Sequence, residues 1–391
     1  MSQVSSIFSQ ILRMVPRAVF DEAVKHHKAE RHARGFRCWD QFAAMMFCQI
    51  GHANSLREIS GGLASCEGKL THLGMRGAPC RSTLAYANQH RPWELYKTVF
   101  ERLKVWCEAE AANRKRKFRF KRQLTLLDST AIPLALSMYD WAAYQTAKGA
   151  AKIHMVLNHD GYLPQYAVVT DGKTSDIEVA RTLTFEPGTM LVFDRGYADY
   201  NWWLKLSRGK VNFVTRLKDC AAYTIIEVRP VDPLAGPIIR DEVILLDEQR
   251  EIGPIAKLRR IEALSDDRKT SVVFVTNNLK LAATTIAAIY RERWKIELFF
   301  KAIKQSLKIK SFVGTSENAV NVQIWTALIA MLLIRMLQLR ASHNWSLSNL
   351  VALLRQQLFV YRPLQAWLDN PFAPPPVPTA ADDGQLTLRW T

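Results

Sequence analysis

The chain has 391 residues, of which 48% are hydrophobic and 23% charged, a globular balance that excludes a fully disordered polypeptide and leaves room for two or three domains. Its 53 Lys+Arg against 36 Asp+Glu give a net charge of +17, which points to a polyanionic partner because neutralising phosphates releases counterions. Six cysteines scattered without a Cys-x2-Cys pair argue against zinc, and with nothing resembling a signal peptide they place the chain in a reducing cytoplasm.

Helix-period segments fill residues 1–112: Ser5 to Arg13, Arg17 to His32, Cys38 to Ile50, Ser55 to Ala64, Ser82 to Ala87 and Trp93 to Ala111. They predict an all-helical N-terminal domain, with a capping-box spacing at Ser55 and Glu58. Its short helices have the look of a helix-turn-helix DNA reader that offers Arg81, Asn88, Gln89, His90 and Arg91 to phosphates or base edges, plain helix packing being the other reading. The run Arg114 to Arg122 then holds seven cations and two phenylalanines in nine positions. Residues 113–122 read as a basic linker in which Arg114, Lys115, Arg116 and Lys117 track a DNA backbone, or as a solvated charge run.

From Gln123 the periodicity changes. Leu124 to Asp128, Lys152 to Asn158 and Leu163 to Thr170 predict strands, the first ending in an acid and the last two joined by the turn pair Asp160-Gly161. A helix over Asp176 to Thr184, a buried strand over Met190 to Asp194, a helix over Asp199 to Ser207 and a strand over Val211 to Thr215 complete a first core segment, residues 123–218. Residues 219–276 alternate in Tyr223 to Val228, Glu242 to Leu246, Ala256 to Ile261 and Ser271 to Val275, and predict a β-rich insertion beside the site. Among the other polar residues, Asp160 and Asp171 suit turns, Asp176 a helix cap, and His154 a hydrogen-bonded core position. Asp140 lies outside the strands.

Residues 277–318 carry the stretch Tyr290 to Lys304, which has no Gly or Pro to interrupt one helix. At 3.6 residues per turn Tyr290, Arg293, Glu297 and Lys304 fall within an arc of about 60°, while Ile289, Ile296, Phe300, Ile303 and Leu307 gather on the adjoining side. Glu297 with Arg293 four before it and Lys301 four after it also fits an ordinary solvated face. The spacing Tyr-x2-Arg-x3-Glu-x6-Lys is the more demanding feature. Val320 to Leu339 and Leu347 to Leu358, within residues 319–370, read as packing helices that complete the core or form a dimer contact. The apolar run Ile324 to Ile334 is about half the length of a bilayer span and stops at Arg335, so no membrane role is expected. Residues 371–391 read as a flexible tail.

The Tyr290, Arg293, Glu297, Lys304 spacing resembles that of the bacterial insertion-sequence-four family, the DDE transposases marked by a Tyr-Arg-Glu-Lys motif. That resemblance implies a ribonuclease H-like α/β catalytic core, with Glu297 as third catalytic carboxylate and two Asp partners at strand ends, which Asp128 and Asp194 supply. It further implies that Tyr290 and Arg293 hold phosphates near the scissile bond and that Lys304 contacts the transposon end, with Lys301 bordering the stripe. Three converging carboxylates repel one another unless divalent cations lie between them, so Mg2+, with Mn2+ substituting, is the expected cofactor. The implied activity is cut-and-paste transposition: a homodimer binds the terminal inverted repeats in double-stranded DNA, cuts them and joins the 3′-hydroxyls to target DNA. One departure is that no Trp lies between Trp203 and Trp294, where some members use an insertion-domain tryptophan to stack a flipped base; Tyr223 is the nearest substitute. A metal-dependent nuclease without strand transfer and a catalytically inactive DNA-binding repressor are the alternatives.

Overall fold

The structure, a computed structural model, describes residues 5–373 apart from 32, 34, 67, 112–122, 134–149, 160, 232–235, 248–256, 265–269, 308 and 310. The basic run with Arg114, Lys115, Arg116 and Lys117, the positions Asp140 and Asp160, and the tail beyond residue 373 lie outside the described residues.

The N-terminal part is helical: α1 (Ile7–Arg13), α2 (Arg17–His26), α3 (Cys38–Gly51), α4 (Leu56–Ala64), α5 (Arg81–His90) and α6 (Glu94–Ala111). Serines start two of them, Ser6 accepting from the Ser9 amide and Ser55 from that of Glu58. The reach-back of Glu58 goes to the Asn54 amide, not to Ser55. α2 stops at His26 although its sequence period runs to His32, because Lys28 turns left-handed (φ 50°) and breaks the ladder. α5 outruns its expected limits at both ends. Of the five residues assigned to a reader, Asn88 is buried against the Gln41 amide (2.8 Å), and Arg91 donates to Gln41 Oε1 and the Phe36 carbonyl. Both are committed to packing, a correction to that reading.

Strands β1 (Leu124–Pro133), β2 (Ala150–Asn158) and β3 (Leu163–Asp171) form the antiparallel meander that the alternation predicts. β4 (Met190–Val192) and β5 (Asn212–Arg216) continue it in parallel, with α7 (Asp176–Thr182) and α8 (Tyr200–Arg208) between, capped by Ser175 and Asp199. Asp176 is thus the first residue inside α7 and not its cap. β6 (Tyr223–Val228), β7 (Ile238–Leu246), β8 (Leu258–Leu264) and β9 (Ser271–Thr276) join the same sheet, since β9 pairs antiparallel with β5. The result is one nine-stranded mixed sheet in the order β3-β2-β1-β4-β5-β9-β8-β7-β6.

Two expectations change here. Asp128 does not end its strand: β2 supplies partners as far as Pro133, so the acid sits mid-strand. The parallel pairing to β4, however, stops at Leu126, so Asp128 emerges just where β1 leaves its parallel neighbour. The Tyr290 to Lys304 stretch is also not one helix. α9 (Ala283–Arg291) and α10 (Trp294–Ser306) are separated by a turn at Glu292 and Arg293, whose amides bond only three residues back, to Ile289 and Tyr290. Ile289, Ile296, Phe300, Ile303 and Leu307 are nonetheless all buried.

α11 (Glu317–Arg340) is long and apolar enough to cross a membrane by length and composition, but 94% of its apolar window is buried inside the protein. It is hydrophobic nearly all round, which marks a central core helix. Trp325 stacks on Trp93 (6.2 Å) and meets Phe100 edge-on (5.5 Å), so α11 ties the helical part to the rest. α12 (Leu347–Gln357) and α13 (Leu364–Asp369) close over it. Trp325→Ala is expected to cost about 3–5 kcal/mol in urea unfolding, whereas Trp294→Ala, at a position 56% exposed, costs under about 0.5 kcal/mol.

Candidate active site

Three elements that are distant in the chain present their acids to one cleft of about 460 Å³. Asp128 comes from the middle of β1, Asp194 from just beyond β4 and Glu297 from the first turn of α10. Asp194 caps the short 3-10 turn Arg195–Tyr197, its Oδ1 accepting from the Gly196 amide at 2.9 Å, so the side chain is held against its own backbone. Asp128 Oδ1 accepts from the Ser129 amide at 2.8 Å. Ser129, Thr130 and Gln305, which sequence reasoning had not singled out, also line the cleft; the polar pair directly after Asp128 was the available signal.

Arg293 reaches across this cleft. Its Nη1 lies 2.5 Å from Glu297 Oε1 and 3.7 Å from Asp128 Oδ2. The four-residue spacing to Glu297 survives the helix break because Ile296 N still closes a turn onto Arg293 O. Burial pushes the Asp128 carboxyl up to about 7, the Ser129 amide and Arg293 pull it down, and the charges of Asp194 and Glu297 push it up again. Such a carboxyl is costly to ionise where it lies.

The other expected residues divide. Lys301 and Lys304 line the cleft on α10, Lys301 exposed and Lys304 half-buried. Tyr290 does not line it: at the end of α9 its ring packs on Phe274 (5.0 Å) and lies under the Arg293 guanidinium (5.6 Å), and burial raises its hydroxyl pKa. It supports Arg293 from below. His154, opposite Ser129 in the β1/β2 register, bonds Thr170 Oγ1 through Nε2 (2.9 Å) and faces Asp176 at 3.4 Å. Burial lowers its pKa to about 4, the behaviour of the core histidine expected there.

Among the described residues no three Asp, Glu, His or Cys side chains stand close enough to close on a single ion. The donor set nevertheless fits a hard divalent cation, being made of carboxylate oxygens, one of them with its pKa raised by burial and, after that, by its neighbours' charge. Arg293 stands between Glu297 and Asp128, and its guanidinium supplies there positive charge of the kind a metal would bring.

Comparison with known proteins follows the same lines. Residues 119–333, more than half of the chain, match the family model described as a transposase DDE domain, and residues 3–76 match a domain of unknown function, DUF4372. A Sinorhizobium fredii protein named as a transposase is 34% identical over 66% of this chain and 71% of its own length. A Geobacillus stearothermophilus protein named as the transposase of an insertion-sequence element is 29% identical over 68% of this chain and 70% of its own. A cryo-EM structure of the piggyBac transposase synaptic complex with hairpin DNA covers 96% of this chain and 87% of that one, at a TM-score of 0.43 and 9% identity. With the DDE domain matched over β1 to β9 and on into α11, and a relative above 30% identity spanning most of its own length, this chain belongs to the bacterial DDE transposases.

Proposed function

We propose that this transposase cuts and joins DNA with Asp128, Asp194 and Glu297 as its catalytic acids, moving an insertion sequence by cut-and-paste and acting as a homodimer on inverted-repeat ends. The observation that carries the reading is the meeting of these three acids, with Arg293, Lys301 and Lys304, in one cleft. The strand order β3-β2-β1-β4-β5, antiparallel then parallel, supports a ribonuclease H-like core, and the Tyr290, Arg293, Glu297, Lys304 spacing supports the Tyr-Arg-Glu-Lys subgroup. On this reading residues 1–112 bind DNA, 113–122 track its backbone, 123–218 with 277–318 form the core, and 219–276 extend its sheet. No observation favours the nuclease lacking strand transfer or the inactive repressor.

Bound among the acids, divalent ions such as Mg2+ or Mn2+ would activate a water or 3′-hydroxyl and stabilise the leaving oxygen. The residues do the positioning. Asp194, locked by the Gly196 amide, and Asp128, locked by that of Ser129, offer oxygens whose directions are fixed before any ligand arrives. Arg293 has a planar fork matched to a phosphate, and Tyr290 holds that fork from beneath. Lys301 and Lys304 add point charge further along α10, where a DNA strand leaving the cleft would pass.

Three outcomes test this. Glu297→Gln should keep binding the ends in a gel-shift assay yet lose divalent-metal-dependent strand cleavage; undiminished cutting would overturn the assignment. Gly196→Ala should lower the cleavage rate with end binding intact, because a Cβ there meets Asp194 Oδ1 at 3.0 Å and pushes the carboxylate out of line. The third concerns pH. A carboxyl ordinarily near 3.8 and raised to about 7 binds its proton more tightly folded than unfolded, so metal-free stability falls as pH rises from about 4 through about 7. Metal-free Asp128→Asn should therefore melt above the wild type at about pH 8 and together with it at about pH 4; equal melting at both would remove the burial argument.

A further inference from the structure

The break between α9 and α10 has no Gly or Pro to cause it, and its first residue, Glu292, is a buried carboxylate that the chemistry above does not use. Its Oε2 lies 3.0 Å from His159 Nε2 and accepts from the Tyr162 hydroxyl at 3.3 Å. His159 and Tyr162 belong to the turn between β2 and β3, and that turn is held from two further sides. The His159 amide donates to the Leu124 carbonyl (2.9 Å), at the head of the strand that carries Asp128. Arg335 of α11, half-buried, donates to the Gly161 carbonyl (3.0 Å) and places its guanidinium over the Tyr162 ring (5.4 Å). Tyr162 keeps a left-handed backbone (φ 53°), a conformation unfavourable for a tyrosine that persists where the surroundings over-determine it.

The residue after Glu292 is Arg293, and one turn further stands Glu297. Resting on the site reading above, we propose that Glu292 is a positioning residue: clamped to His159 and Tyr162, it fixes the break between α9 and α10 and so the direction from which Arg293 and Glu297 meet Asp128. Glu292 (φ −65°, ψ −19°) and Arg293 (φ −53°, ψ −35°) keep right-handed angles but bond three residues back, so the winding tightens there. An α-helical turn in its place would give Arg293 a different bearing. The clamp sets that angle against β1 itself, because His159 hangs from the first residue of that strand. Sequence spacing alone places Arg293 and Glu297 on one helix face; the register of that face against Asp128 comes from a contact 133 residues apart.

The test uses the full chain and compares Glu292→Leu, which keeps bulk but no acceptor, with Glu292→Gln, which keeps an acceptor oxygen for His159 and Tyr162. Glu292→Leu should bind DNA ends with an unchanged KM and unfold cooperatively, while its kcat for cleavage falls by about 100-fold, the effect of a small misplacement of reacting groups. Glu292→Gln should recover most of the rate, which a residue acting directly on metal or substrate would not allow. His159→Leu should lose as much as Glu292→Leu, and the double variant no more than either. Normal cutting by Glu292→Leu, additive losses, an inactive Glu292→Gln, or a rate loss that merely follows the melting temperature would each overturn the role. Glu297→Gln run alongside separates two failures: if it still cuts, the site reading falls and this inference with it; if it is dead while Glu292→Leu cuts normally, only the positioning role falls.

Discussion

The burial of a carboxylate, Asp128, beside two others in the cleft between β1, β4 and α10 is the constraint the rest of the structure answers to. Asp128 shares the cleft with the half-buried Asp194 and Glu297, and its own burial, then their charges, drives its proton affinity up. In the metal-free chain Arg293 is the counterweight, within ion-pair distance of Glu297 and Asp128 at once. A site so arranged is unfavourable on its own and becomes favourable when further positive charge enters, which is the electrostatic character that metal-dependent phosphoryl transfer calls for.

The scaffold makes this convergence rigid. The parallel pairs β1 to β4 and β4 to β5 bring Asp128 and Asp194 to the same strand-end edge in the interior of the sheet, and a local backbone amide fixes each carboxylate. α10 comes to that edge on a buried row, Ile296, Phe300, Ile303 and Leu307. Behind it α11 is surrounded by helices of the N-terminal part and by the meander, so the helical part and the sheet share one continuous apolar core. The four strands β6 to β9 extend the sheet away from the acids and carry their own buried ion pairs, Arg259 with Asp241 and Arg260 with Glu242.

Much of this was legible in the residues. Period alone located the N-terminal helices, the meander, and the alternating strands of 219–276, since each depends on which face of a local element is apolar. The acids proposed as catalytic stood out because Glu297 lies in a spacing that resembles a known family's motif, which implies two Asp partners, and Asp128 and Asp194 follow short apolar runs. What failed to show was anything decided by a distant partner. Asn88 and Arg91 look like surface polar residues until Gln41 and Phe36 are seen to claim them. β9 reads as the close of an insertion until its bonds to β5 make it part of the sheet.

The sequence by itself therefore determined most of the elements and the charge of the chain, because these rest on composition and local periodicity, and through a family-like spacing it singled out the three acids, Arg293 and Lys304 proposed for the site. Only the tertiary structure decided that Asp128 lies within a strand and not at its end, that the Tyr290 to Lys304 stretch breaks at Glu292, and that Tyr290 lies beneath Arg293 and not beside the cleft. Each depends on a contact across many residues: β2 pairing as far as Pro133, His159 meeting a buried carboxylate, Phe274 meeting a ring. A local window carries no record of which distant group will supply a hydrogen bond or fill a gap, and it is those groups that set the angles at which the acids meet.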